Sequence, residues 1–82
     1  MHFARGLVFF RRAEYQRSIA DFRNASTSDA LVYWGLAELA LGDCENGYTQ
    51  IRAAYDNYYP AVKKVLADHR DFIAKTACPE EP

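Results

Sequence analysis

Four side chains in this 82-residue chain have the chemistry of metal ligands or nucleophiles, namely His2, Cys44, His69 and Cys78. A thiolate beside an imidazole can act as a catalytic pair, and such groups together can hold zinc. On one helix, however, His69 and Cys78 would lie roughly 13 Å apart along the axis. The sequence therefore predicts neither a Cys–His pair nor a metal site. It also contains no phosphate-binding loop and no paired carboxylates.

The apolar periodicity and the capping signals predict an all-helical chain. The segment 26–29 ends one helix and caps the next, because its Ser, Thr and Asp side chains accept hydrogen bonds from free N–H groups. Gly42 supplies a left-handed stop, Asp43 caps the following helix, and Pro60 suits the first turn of the last one. The predicted helices span about 2–12, 14–25, 29–41, 44–57 and 60–76.

Two of these helices have opposite surface patterns. The segment from Ala30 to Leu41 carries a single charge, Glu38, and a helix that is apolar on every side is normally buried on every side. We therefore expect it to be the central helix. The last helix is amphipathic and should cap the array with its apolar stripe. That stripe consists of Val62, Val65, Leu66, His69, Phe72 and Ile73.

The predicted helix lengths bring the two cysteines together. Cys44 begins a helix that descends about 20 Å, and the next helix returns about 24 Å to Cys78. A disulfide needs Cα atoms within ~7 Å, and this topology can supply that distance. The sequence predicts a Cys44–Cys78 disulfide; the alternative is two reduced thiols. A disulfide would favour an oxidising, periplasmic or secreted location, whereas free thiols would favour the cytoplasm.

A pattern of small and large apolar residues occurs twice, with Gly6 and Gly35 opening copies that lie 29 residues apart. The first copy is Gly6, Ala13, Tyr15, Ser18, Phe22 and Ala25. The second copy is Gly35, Gly42, Cys44, Gly47, Ile51 and Ala54. The pattern resembles the tetratricopeptide repeat (TPR) family, in which small residues let paired helices approach closely. The period is shorter than is usual in that family, and Cys44 stands in place of an aromatic residue.

The resemblance implies a right-handed stack of antiparallel helical hairpins with about five helices. On this interpretation residues 1–77 form a single domain. Repeat one spans about 3–27, repeat two about 28–59 and a capping helix about 60–76. An acidic, Pro-rich tail covers 78–82.

The resemblance also implies a protein-binding scaffold or adaptor with a concave groove lined by the first helix of each hairpin. The expected groove residues are Phe3, Leu7, Phe10, Arg11, Val32, Tyr33 and Leu36. Relatives that grip a carboxylate use Lys and Asn on this surface, whereas most of these side chains are apolar. We therefore expect the partner to be an apolar peptide or helix of another protein. The alternative is a self-associating structural module, or a fragment of a longer TPR array.

Composition and charge also bear on nucleic-acid binding, membrane insertion and enzymatic activity. The net charge of −1 and the interspersed charges predict no nucleic-acid binding. No apolar run reaches the ~18 residues of a membrane span, and the opening residues have a helical pattern instead of that of a signal peptide. We expect no cofactor and no enzymatic activity. Tyr55, Tyr58 and Tyr59 are expected to pack the turn before Pro60, with a binding platform as the alternative.

Overall fold

The computed structural model describes residues 2–25 and 27–79, with the backbone alone at 28 and 57–59. All regular structure in these residues is helical, which confirms the predicted all-α class. The helices are α1 (His2–Arg11), α2 (Tyr15–Arg23), α3 (Ser28–Ala40), α4 (Cys44–Asp68) and α5 (Arg70–Ala74).

The α1–α2 and α3–α4 turns have matching backbones. Ala13 and Gly42 occupy equivalent positions, and both have positive φ angles, of 61° and 89°. Just after them, the N–H groups of Glu14 and Asp43 each donate to the carbonyl five residues earlier, both at 2.9 Å. Gly42 adopts this conformation freely, whereas Ala13 does so at a cost of roughly 1–2 kcal/mol. The repeat in the sequence is therefore also a repeat in backbone geometry.

Two predicted helix caps are confirmed. The Thr27 hydroxyl accepts a hydrogen bond from the Ala30 N–H at 3.1 Å, at the start of α3. The Asp43 carboxylate accepts one from the Asn46 N–H at 3.4 Å, at the start of α4. Each satisfies one of the N–H groups that a helix leaves free in its first turn. Ser26, part of the same predicted signal, lies outside the described residues.

Glycine allows the helices of each hairpin to approach closely. A Cβ atom at Gly6 would lie 2.6 Å from the Phe22 ring, and one at Gly35 would lie 2.7 Å from the Ile51 side chain. These are equivalent positions in the two copies, and both large residues are buried. The Gly35 Cβ would also lie 2.6 Å from the carbonyl oxygen of Gly47. The predicted role of these small residues is confirmed.

Helix α3 lies at the centre of the molecule. It contacts α1, α2, α4 and α5, as its uniformly apolar sequence predicted. Its residues Ala30, Val32, Leu36, Ala37 and Leu39 are completely buried. Apart from Cys78, which follows the last helix, the remaining buried apolar residues come from α1, α2 and α4, and α5 contributes partly buried Phe72 and Ile73.

The predicted capping helix over 60–76 is wrong. Helix α4 continues through Pro60 to Asp68, and the break comes at His69, before the short helix α5. A proline removes one hydrogen bond and crowds the carbonyl four residues earlier, which bends a helix without having to end it. Tyr48 and Ala67 line one cleft although a straight helix would separate them by roughly 28 Å, so α4 bends.

We predict that Gly35→Ala destabilises the protein by about 1–3 kcal/mol, although alanine is the better helix former. The added methyl group would meet the Gly47 carbonyl, and α3 and α4 would have to separate. Gly6→Ala is the matched variant, because its methyl group meets only a side chain, and it should cost less. Urea unfolding of the two variants measures both effects. A Gly35→Ala protein as stable as the parent would contradict the close contact.

Candidate interaction face

The C-terminal segment 69–79, here called the strap, is joined covalently to the start of α4. Cys44 and Cys78 form the predicted disulfide, with Cα atoms 5.4 Å apart. The Cys78 side chain belongs to the buried core, whereas Cys44 is half-buried. The Tyr48 hydroxyl donates to the Pro79 carbonyl at 2.5 Å, beside the disulfide. The end of the strap is therefore fixed by one covalent bond and one hydrogen bond.

The beginning of the strap packs on a surface made of aromatic rings. Phe3 and Phe10 on α1, Tyr15 at the start of α2 and Tyr33 on α3 form this surface, here called the aromatic face. The Phe10 ring lies 5.7 Å from that of Tyr15 and 5.4 Å from that of Tyr33, both edge to face. The Phe3 ring lies 6.0 Å from Tyr33. These separations are typical of favourable aromatic pairs.

Two rings of the strap lie on the aromatic face. The Phe72 ring is 5.0 Å from that of Phe10 and 6.2 Å from that of Tyr15. The His69 ring is 5.2 Å from Tyr33 and 6.2 Å from Phe10. The strap thus occupies the place where the resemblance predicted a partner, between the first helices of the two hairpins.

Two polar side chains, His69 and Tyr33, lie where the strap meets the aromatic face. His69 Nδ1 lies 2.8 Å from the Val65 carbonyl oxygen, which can only accept, so this nitrogen carries the hydrogen. Burial raises the pKa of the Tyr33 hydroxyl, and Asp29 adds to the effect. Tyr33 therefore stays uncharged at neutral pH, and the contacts of the strap with the face are predominantly apolar.

The seven predicted groove residues do not form one open surface. Phe10, Val32 and Leu36 are buried, because α3 is covered on all sides and the strap lies over Phe10. Phe3, Leu7 and Tyr33 are half-buried against the core, and only Arg11 is exposed. The expectation of an accessible groove at Phe10, Val32 and Leu36 is corrected, whereas partner binding at this face stays a prediction. The sequence pattern had shown the apolar stripe of His69 and Phe72 without showing where it would pack.

An open cleft of about 800 Å³ borders the opposite side of the strap. Its apolar lining includes Tyr48, Ile51, Tyr55, Leu66 and Ile73. Tyr55 is half-buried against the core, which agrees with the expectation that it packs between helices. The side chains of Tyr58 and Tyr59 lie outside the described residues.

A buried carboxylate joins α1 to α2, and the sequence interpretation missed it. Asp21 is only 4% exposed, and it accepts hydrogen bonds from the Arg5 guanidinium at 2.6 and 2.9 Å. His2 Nδ1 lies 3.3 Å from the same carboxylate. The spacing of Asp21 with Ser18 and Phe22 places it on the buried side of α2, and this signal could have revealed it. Hydrogen bonds from Arg5 lower the pKa of Asp21 despite the opposing effect of burial.

The described residues contain no group of three or more His, Cys, Asp or Glu side chains that could bind a metal ion. No helix within them is both long enough and apolar enough to cross a membrane. Comparison of the chain with protein-family models, with curated proteins and with solved structures found no match.

We predict that the Asp21 carboxylate stabilises the fold above about pH 4 and loses this effect as the pH falls further. The pKa of Asp21 in the fold is below the ~3.9 of an unfolded chain. Below about pH 4 the unfolded chain therefore binds a proton at this residue more readily than the fold does, and this favours unfolding. Asp21→Asn should therefore be less stable than the parent at pH 7, with a smaller difference at pH 3. Urea unfolding at both pH values measures this, with exposed Asp71→Asn as the control. An equal difference at both pH values would contradict the assignment.

Proposed function

We propose that this chain is a TPR-like protein-interaction module whose aromatic face binds a short helix carrying an aromatic side chain. The proposal begins with the repeated hairpin. The two turns share one backbone geometry, and equivalent glycines contact equivalent large residues, Gly6 with Phe22 and Gly35 with Ile51. Stacked helical hairpins commonly serve as binding surfaces for other polypeptides.

The observation that carries the proposal is the position of α5 on the aromatic face. This helix brings Phe72 against Phe10 and Tyr15, and His69 just before it contacts Tyr33. A helix of another protein that presents an aromatic residue could make the same contacts. Recognition of an apolar helix face in a groove is a recurrent mode of peptide binding. The chain's own strap is therefore the guide to the chemistry of the partner.

The character of the face further supports an apolar partner. Arg11 is the exposed cation among the seven predicted residues, and it lies at the end of α1. The other six are apolar or aromatic, so a highly charged segment would lose hydration without gaining ion pairs on the face. An aromatic ring, by contrast, gains both buried area and edge-to-face contacts.

A peptide that copies residues 65–76 tests the proposal. In the full-length Phe72→Ala variant, the ring that occupies the face is missing, so the peptide should bind at least about tenfold more tightly than to the parent. Tenfold corresponds to about 1.4 kcal/mol, slightly below the ~1.5–3 kcal/mol of a fully buried aromatic side chain, because Phe72 is partly buried. The same peptide with alanine at the position of Phe72 should bind weakly. Labelled-peptide anisotropy measures both affinities.

Leu66→Ala is the matched control for that experiment, because it also removes an apolar side chain, but one that lines the cleft on the opposite side of the strap. It should bind the peptide no better than the parent does. Circular dichroism checks that both variants keep their helices. If Phe72→Ala bound the two peptides equally, the face would not recognise an aromatic side chain, and the proposal would fail.

The second candidate is a self-associating module, favoured by one exposed apolar residue on α1. Val8 is 49% exposed and shares a shallow depression with Ala4 and Arg5. If copies associate through this side of α1, Val8→Glu should return the mass measured by light scattering to the 9.4 kDa of one chain. Leu41→Glu is the control, since Leu41 is equally exposed in the α3–α4 turn. A parent protein that is monomeric at all concentrations would exclude this candidate.

A further inference from the structure

We propose that the Cys44–Cys78 disulfide is a redox gate that holds the strap on the aromatic face, and that a dithiol reductant opens the face to its partner. This inference rests on the proposed function, because it concerns the regulation of the same face. It starts from one geometric fact. The segment that covers the face and the segment that carries Cys78 are the same eleven-residue strap, 69–79.

Without the disulfide, the strap would be held mainly by the contacts of His69 and Phe72 with the aromatic face. Helix α5 has only five residues, far fewer than the ~12 that an isolated helix needs to be even marginally stable in water. Phe72 and Ile73 are only partly buried, and the cleft of about 800 Å³ borders the strap on its other side. The Tyr48–Pro79 hydrogen bond lies next to the disulfide and depends on the same positioning.

The hairpin core, in contrast, does not include the strap apart from Cys78. Its fully buried side chains, among them Phe22, Leu36, Ile51 and Val62, belong to α2, α3 and α4. The close contacts of Gly35 with Gly47 and of Gly6 with Phe22 also lie within the hairpins. Opening of the strap can therefore leave the hairpins folded while it uncovers Phe10 and Tyr33.

The exposure of the two cysteines indicates the order of the chemistry. Cys44 is half-buried, whereas Cys78 is 8% exposed, so a reductant reaches Cys44 first. One thiolate of the dithiol attacks Cys44 Sγ, a mixed disulfide forms, and Cys78 leaves as a thiolate. The strap is released at this step.

The second thiol of the reductant completes the reaction. It attacks the reductant's own sulfur in the mixed disulfide, and Cys44 leaves as a thiolate. The dithiol becomes a disulfide and supplies two electrons, and the two protons that it loses are balanced by one proton taken up at each cysteine. No other reactant is required.

Hydrogen exchange of the full chain tests the gate, with dithiothreitol as the reductant. Reduction should accelerate exchange in residues 70–76 at least about tenfold, while the α3 amides from Ala37 to Leu39 keep their protection. The reduced parent should also bind the 65–76 peptide at least about tenfold more tightly than the oxidised parent. The Cys44→Ser, Cys78→Ser double variant should behave like the reduced parent and should not respond to dithiothreitol.

Three results would overturn the gate. Unchanged exchange in 70–76 would mean that packing alone holds the strap. Loss of protection in α3 would mean that the disulfide stabilises the whole fold. Peptide binding by oxidised Phe72→Ala but not by the reduced parent would leave the proposed function in place and remove its redox control. If the strap opened but neither the reduced parent nor oxidised Phe72→Ala bound the peptide, the proposed function would fail, and the gate would fail with it because it regulates that function.

Discussion

The contact between Gly35 and Gly47 is the constraint on which the rest of the structure depends. A methyl group at Gly35 would come within 2.6 Å of the Gly47 carbonyl, so α3 and α4 lie at a separation that only two glycines permit. At this separation Leu39 and Ile51 fill the adjacent space and are buried. Because α4 is held so close, α3 is covered on that side, and the start of α4 brings Cys44 to the place where Cys78 arrives.

Local sequence signals predicted those features that depend on a few neighbouring residues. The caps at Thr27 and Asp43, the left-handed Gly42 and the buried α3 each follow from a short pattern whose physical cause is local. The 29-residue repeat extended this to the hairpin contacts, since Gly6 and Gly35 lie inside predicted helices, where a glycine permits close approach of a neighbouring helix. The disulfide was also predictable, because it depends on where the helices end and not on which side of each helix faces the core.

Predictions that required knowing which side of a helix faces the solvent were less successful. The resemblance assigned Val32 and Leu36 to an open surface, but a helix that is apolar all round gives no sign of which side faces outward. Pro60 suits a helix start, but a proline can also lie inside a helix that bends, and α4 continues through it. The break at His69 has no strong sequence signal. As a result, the strap, which determines whether the candidate face is open, could be identified only from the three-dimensional structure.

The buried Asp21 carboxylate and its partner Arg5 set the alignment of α1 with α2. Its partner Arg5 is exposed over most of its length, so the pair is hydrated on one side and enclosed on the other. Such a pair joins α1 to α2 in one register, because a shift of either helix would leave the carboxylate buried without its donors. Packing of Phe22 under Gly6 and this ion pair therefore specify the same alignment of the first hairpin.

The position of the disulfide also divides the chain mechanically. Cys44 and Cys78 are 34 residues apart, so tension applied to the two ends passes through the covalent bond and bypasses the whole of α4 and the strap. About 120 Å of chain is removed from the length that can be drawn out. The first hairpin, held by Phe22, Gly6 and the Arg5–Asp21 pair, lies wholly outside the loop. Under load this hairpin and α3 are the parts that would extend, while the two ends of the cross-linked segment stay together.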